Sequence, residues 1–428
     1  MSSGSSNDDG AQEVAILDKV LLRLAMADNA EAAAPILATF LVPALQLLAA
    51  PQAAVKKKVV ALVGHINSRF PSSPAVFPLM SLVDQYIDAS VPPLVKNLTL
   101  VYLNKALAPV AVAADHPHAQ ALPTAIRKLV NALVSPAVPA NHRNAILHIM
   151  APHLACAAPQ PEALPPAGAL EAVVDFGHDL LLFRPQDIES QTAQRETGAP
   201  LPEPPPGLSR MRCKRLASLK PANPSHLSAC QASILSYALD VAAADAGWLQ
   251  AVFPMALVAA HSANPTARDL ASHAMRSHFP PSTFSPTSVV TLDRLCAYVA
   301  GDSSERVRPA SIDLALAALT HLANAPDAAL AAPRLFDTLR SALLSPQARM
   351  TAAGKALFQA LFRTAEPERL VPLARALLDM LLPSIAGTGL GSFGYVAVGR
   401  CARIVPSLVG PNLRVLASFF DAAESGSA

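Results

Sequence analysis

Gly389-Leu390-Gly391-Ser392-Phe393-Gly394 has the spacing of a dinucleotide-binding fingerprint. In that motif the glycines let a pyrophosphate approach backbone N–H groups at a helix start, and a β-strand must lead into it. Here Leu370 to Ile385 reads as a helix, so the stretch is expected to be an inter-helix turn and no nucleotide cofactor is assigned. Histidines offer metal chemistry next. His116 and His118 flank Pro117, while His142, His148 and His153 fall near one predicted helix. None has H-E-x-x-H spacing or a companion carboxylate set, so structural or surface roles are expected and no metal is assigned. No G-x-S-x-G elbow, phosphate-binding loop or kinase signature occurs. No nucleophile, base and oxyanion donor fall together, so no catalytic residue is assigned and the chain is not read as an enzyme.

The remaining polar chemistry is basic. Lys56, Lys57, Lys58 and Arg69 sit along one predicted helix. Arg210, Arg212, Lys214, Arg215 and Lys220 form the densest positive cluster. Lys56, Lys57, Lys58, Arg69, Lys214 and Arg215 are the candidate protein-binding residues, and for the second cluster an acidic protein partner is the reading. Two readings stay open for them: a partner site, or basic side chains that serve the fold and solvation. Overall charge gives no reason to expect nucleic acid, because 33 Lys and Arg face 31 Asp and Glu for a net +2.

Those side chains must be carried by helices. Of 428 residues, 52% are apolar, 5% aromatic and 15% charged, against about 25% charged in typical soluble proteins. Ample Leu, Val and Ala rules out a wholly disordered chain. Forty prolines and only 17 glycines argue against collagen and against sheets built on many glycine turns. Five cysteines lie far apart, without a C-x-x-C pair, which points to neither a disulfide framework nor a zinc site. The polar, acidic Met1–Gly10 has no secretory pattern, and a reducing intracellular compartment is expected.

Apolar segments of about 15–20 residues recur, each closed by a Pro, Asn, Gly or Asp cluster. Helices are predicted at Glu13–Asn29, Pro35–Ala49, Ala53–Arg69, Ala75–Ala89, Pro93–Leu107, Leu122–Val134, Asn141–Ala155 and Gly168–Phe183. A second group is predicted at Ser225–Ala243, Leu249–Ser262, Ala267–His278, Thr287–Ala300, Pro309–Asn324 and Pro333–Leu344. Gln347–Thr364, Glu366–Ile385, Phe393–Leu408 and Asn412–Ala423 complete it. The uncharged runs at Ala32–Val55 and Ala246–Ala267 contain prolines and polar residues where two shorter helices would meet. They are therefore read as buried helices and not as membrane insertion.

Paired helices at a period of about 40 residues predict an all-α fold, an α-solenoid of HEAT-like helical hairpins. Gln52–Val59, Pro265–Ala271, Ser304–Ala310 and Pro346–Ala352 repeat one pattern: a polar turn, a small apolar residue, a basic residue and another small one. That pattern resembles the start of the second helix of a HEAT repeat. The expected organisation is a disordered tail at 1–12, repeats at 13–183, a Pro-rich polar linker at 184–223 and a second block at 224–428. Pro204-Pro205-Pro206-Gly207-Leu208 ends the polar run and would be extended.

Specific blocks then carry a resemblance. Leu21–Asp28 leads into Phe40–Leu45, Val55–Val59 and His65–Arg69. Val95–Tyr102, Pro204–Leu208 with Lys214-Arg215, Leu227–Cys230, and Tyr395–Arg400 with Pro406 follow in order. Collinear from about Val14 to Phe420, the chain resembles the N-terminal part of the large HEAT-repeat adaptor and scaffold family of the proteasome, whose members are much longer. Ala246 to Ala300 is more divergent. The resemblance implies a non-enzymatic scaffold in cytoplasm and nucleus, binding the proteasome core and regulatory particles and stabilising or monitoring their association. A HEAT adaptor of transport-receptor or vesicle-coat type has the same architecture and stays open as the alternative.

Overall fold

The computed structural model describes residues 5–71, 73–108, 117–159, 164–183, 211–212, 216, 224–279, 288–300, 315, 334–345, 348–384 and 392–408. Among the described residues every regular element is helical. In chain order they are α1 Ser5–Met26, α2 Ala30–Gln46, α3 Ala53–Arg69, α4 Leu79–Ile87, α5 Pro93–Ala106, α6 Leu122–Ala132, α7 Arg143–Met150 and α8 Ala167–Leu182. They continue as α9 Pro224–Ala244, α10 Leu249–Ala259, α11 Pro265–Ser277, α12 Val289–Ala300 and α13 Leu335–Leu343. α14 Ala348–Thr364, α15 Pro367–Ser384 and α16 Ser392–Ile404 close the series.

Local sequence explains the boundaries. The Asn29 side chain accepts the Ala32 N–H at 2.8 Å, which starts α2. Asn264 does the same for Ala267, with Pro265 at the first helical position of α11. Apolar residues then repeat at spacings of three and four. Leu17, Val20 and Leu24 of α1, and Val55, Val59, Leu62 and Ile66 of α3, are all buried. Each such side chain contributes roughly 1.5–3 kcal/mol by leaving water.

The chain divides into two units, one of residues 1–176 with 221–244 and the other of 177–220 with 245–428. In the first, α1 packs on α2 and α3, α2 on α4 and α5, α4 on α5 and α6, and α5 on α7. Lys105 of α5 donates to the Asn67 side chain of α3 at 2.7 Å, which links those two helices. In the second unit α10 packs on α11 and α12, α12 on α13, α13 on α14 and α15, and α15 on α16. Packing thus runs between helices close together in sequence, at most three places apart, as in an α-solenoid of HEAT-like hairpins.

Four expectations change. The 1–12 tail is in part helical, because α1 begins at Ser5. Gly10 is buried, and a Cβ there would sit 3.0 Å from Gln52 Cγ; that tertiary contact extends the helix beyond the apolar pattern. The predicted Asn141–Ala155 helix is split into α7 and a 3-10 stretch, Ala151–Ala157, that begins with Pro152 near its start. The third change concerns α9, which belongs to the first unit. The Ala155 N–H donates to Ser233 Oγ at 2.9 Å, and Leu227, Ile234 and Leu235 are buried. Finally, within 184–223 residues 211, 212 and 216 are helical, with Leu216 buried. The rest of that stretch, Asn412–Ala423, and all of Pro309–Asn324 except Ala315 lie outside the described residues.

Ala30–Ala49 and Ser225–Ala244 are long and apolar enough to cross a bilayer by length and composition. In the fold their Leu37, Leu41 and Leu45, and Ile234, Leu235 and Ala238, are buried.

Two helical glycines make opposite predictions. A Cβ at Gly64 in α3 meets nothing within 4 Å, so Gly64→Ala should stabilise by about 0.5–1 kcal/mol through helix propensity. At Gly354 in α14 a Cβ would lie 2.9 Å from Ala342 Cβ and 3.1 Å from backbone of α13. Gly354→Ala should therefore destabilise by about 1–3 kcal/mol. Thermal melts of the two variants read both signs.

Candidate protein-binding surface

Polar side chains join successive hairpins at one recurring sequence separation. Gln85 donates to the Val42 carbonyl, Lys96 to Ala137, His153 Nε2 to Leu107, Thr291 to Gln250 and Thr338 to Cys296. Those partners are 41 to 46 residues apart. Arg69 obeys the same interval. Its guanidinium donates to the carbonyls of Leu24 and Ala25, each at 2.7 Å, and of Ala27. Leu24 and Ala25 are in the last turn of α1 and Ala27 follows its end; carbonyls there lack a following turn to supply donors, though Leu24 also accepts the Ala27 N–H at 3.3 Å. A cation there also meets the negative end of the helix dipole. Arg69 is therefore a cap for the preceding hairpin, the fold-serving reading of that residue.

The three lysines of α3 separate. Lys58 is half-buried and pairs with Asp18 of α1 at 2.7 Å. Lys56 and Lys57 are exposed and have no ion-pair partner among the described residues. Lys214 and Arg215 lie outside the described residues. Their neighbour Arg212 pairs with Asp179 of α8 at 3.2 Å.

Exposed apolar side chains accompany the free lysines, and the sequence reading missed them. Leu22 and Met26 of α1 are 62% and 72% exposed, and Val60 of α3 is 61% exposed. Lys19, Leu22 and Met26 repeat at helical spacing on the face away from buried Leu17, Val20 and Leu24. That second stripe was visible in the pattern, but it reads as core until a partner layer fixes which side is covered. Leu94 and Val101 of α5 are exposed as well.

Titratable groups inside the fold are tuned towards neutrality. His142 is buried with Nδ1 2.9 Å from the Tyr86 hydroxyl; burial and then the Lys96 charge lower its pKa. Burial lowers His153 too, opposed by its bond to Leu107, with a smaller lowering from His226. Burial alone lowers His226. Lys96 itself is lowered by burial, partly offset by Asp88. The thiols of Cys230, Cys296 and Cys401 are pushed up to about 12 by burial, which suits packing and not nucleophilic work. Among the described residues no three His, Cys, Asp or Glu side chains could hold a metal ion. The last described element before the glycine-rich motif is the helix α15, and α16 begins within the motif at Ser392. Gly389, Leu390 and Gly391 themselves are outside the described residues.

Arg69→Ala should cost about 2–3 kcal/mol, since it removes the side-chain donor from three carbonyls, one of which (Leu24) keeps the Ala27 N–H, whereas Lys56→Ala and Lys57→Ala should stay within about 0.5 kcal/mol. Arg69→Lys should rescue little, because an ammonium lacks the planar fork. Urea titration separates these outcomes. A pH dependence follows from the histidines. Their pKa values are depressed in the fold and ordinary once unfolded, so the unfolded chain binds more protons on acidification. The stability they contribute is complete above about pH 6.5 and is lost as pH falls through their lower folded values. Melting temperature should drop on that side, and His153→Gln should flatten the dependence.

Comparison with known proteins gives the arrangement a lineage. The model of the family "Proteasome component ECM29, N-terminal" matches residues 17–427. The human proteasome adapter and scaffold protein ECM29 is 26% identical over 244 residues, covering 52% of this chain and 13% of its own length. Proteasome component ecm29 of Schizosaccharomyces pombe is 31% identical over 93 residues, 22% of this chain and 6% of its own. The matched part is thus a small fraction of each relative. Among solved structures, a crystal structure of importin beta aligns with a TM-score of 0.26 and 13% identity, covering 91% of this chain and 46% of that one. With nearly its whole length matched, the chain belongs to the family of the N-terminal region of proteasome component ECM29.

Proposed function

We propose that the chain is a non-enzymatic, proteasome-associated adaptor. The observation that carries the reading is the family match over residues 17–427, together with relatives whose names describe a proteasome adapter and scaffold. On this reading it binds the core and regulatory particles and stabilises or monitors their association, in cytoplasm and nucleus. Lys56 and Lys57 are the first residues to test, because neither pairs with an acid among the described residues.

The physical basis is additive. A stack of hairpins supplies a separate outer face from each repeat, and each face can evolve its own contact. Two weak contacts on one scaffold reinforce each other through effective concentration. Affinity purification of the tagged chain followed by mass spectrometry tests the proposal. Proteasome subunits should dominate the recovered proteins. Recovery of transport cargo, small GTPases or coat subunits in their place would favour the transport-receptor or vesicle-coat alternative and overturn it.

A further inference from the structure

A helical stack offers a partner no strand edge, because its backbone groups are bonded within helices; recognition must come from side chains on helix faces. The uncovered faces of α1 and α3 carry two chemistries. Leu22, Met26 and Val60 expose apolar surface, and Lys19, Lys56 and Lys57 add positive charge. α3 contains no acidic residue, and Asp18, which faces it from α1, is already held by Lys58 at 2.7 Å. Lys19, Lys56 and Lys57 have no ion-pair partner among the described residues. Among the described residues the face is therefore apolar and basic, and these three lysines have no acidic partner; the other acids of α1, Asp8, Asp9 and Glu13, lie nearer its start.

We infer that this face docks an acidic amphipathic helix of a partner protein. The charge decides the sign of the occupant: a basic or neutral helix would leave three cations facing like charge or desolvated without a counterion. The shape decides its class. α1 and α3 pack side by side with a shared direction, since Asp18 in the second half of α1 meets Lys58 early in α3, and the end of α1 meets Arg69 at the end of α3. Neighbouring helices leave a groove into which a third helix can set its own ridge of side chains. Leu22 and Met26, four residues apart, offer the apolar contacts that an i, i+3, i+4 stripe matches. The inference deepens the adaptor reading and rests on it for which particle supplies the helix.

The test uses the 428-residue chain and a labelled synthetic helix with Leu on one face and Glu on the other. Its charge-inverted twin carries Lys in place of Glu. Fluorescence anisotropy at low salt should show binding of the acidic peptide and little of the basic one. The double variant Lys56→Glu with Lys57→Glu should weaken the acidic peptide by about tenfold and admit the basic twin. Val60→Asp should weaken the acidic peptide as well, with an unchanged melting curve showing that the chain still folds. Equal binding of both peptides, binding of neither, or an unaltered affinity in the double variant would overturn the inference. Purification of proteasomes in parallel separates the two claims. Capture without acidic-peptide binding sinks the docking site alone, and peptide binding without capture sinks the adaptor reading alone.

Discussion

Side chains that reach back one hairpin to a backbone carbonyl or carboxylate set the register of this protein. Lys58 meets Asp18, Arg69 meets Leu24, Gln85 meets Val42, Lys128 meets Asp84, and Thr338 meets Cys296, at separations of 40 to 45 residues. Hydrophobic stripes alone would let stacked helices slide by a turn, since one Leu or Ala row resembles the next. A carbonyl at a helix end is a fixed point, and a buried donor without it would remain unsatisfied at a cost of about 1–3 kcal/mol. The polar contacts therefore specify the stacking that the apolar contacts stabilise. The contact from Ala155 to Ser233 spans 78 residues, an interval that contains the whole 184–223 stretch. Without that 40-residue stretch the separation would be 38, just short of the 40 to 46 of those carbonyl and carboxylate contacts, so α9 continues the first stack across it.

This division of labour changes how a basic residue should be read. Charge is scarce at 15% of residues, and much of the positive charge in the first repeats is spent on the fold. The Lys96 ammonium lies 2.6 Å from the Ala137 carbonyl, and Lys105 sits near the rings of Phe77 and Tyr102 while bonding Asn67. Arg69 caps α1. Only after these are set aside do Lys56 and Lys57 stand out. Four basic residues in one helix, equivalent by type, are two structural groups and two free ones.

Helices and their period were legible in the sequence because both follow from local rules. Ala53–Arg69 was read with its boundaries correct, as polar turn residues and an apolar spacing of three and four coincide there. What escaped was tertiary. Gly10 gave no sign that it would be covered by Gln52, so the polar start was read as a tail. Proline between 184 and 223 marked a break in the chain, yet a break in sequence is not a boundary in space, and α9 returned to the unit before it. The split of Arg69 from Lys56 and Lys57 was likewise invisible, because it depends on what lies 42 to 45 residues upstream.

The same geometry explains why the exposed apolar residues fall where they do. A hairpin in a stack is covered by its own partner and by the hairpins before and after it, which leaves one face of each helix uncovered. On α3 that face has small residues as well as large: Ala61 and Gly64 are exposed beside Val60. Nothing in the stacking requires Val60 to be apolar or Lys56 and Lys57 to be charged, since none of the three is buried. Burial and capping account for Val59 and Arg69 on the same helix, so the constraints of the fold are met without them. Residues that the fold leaves unconstrained are the place where a partner can exert its own requirement, and here they combine apolar area with positive charge that no described acid pairs.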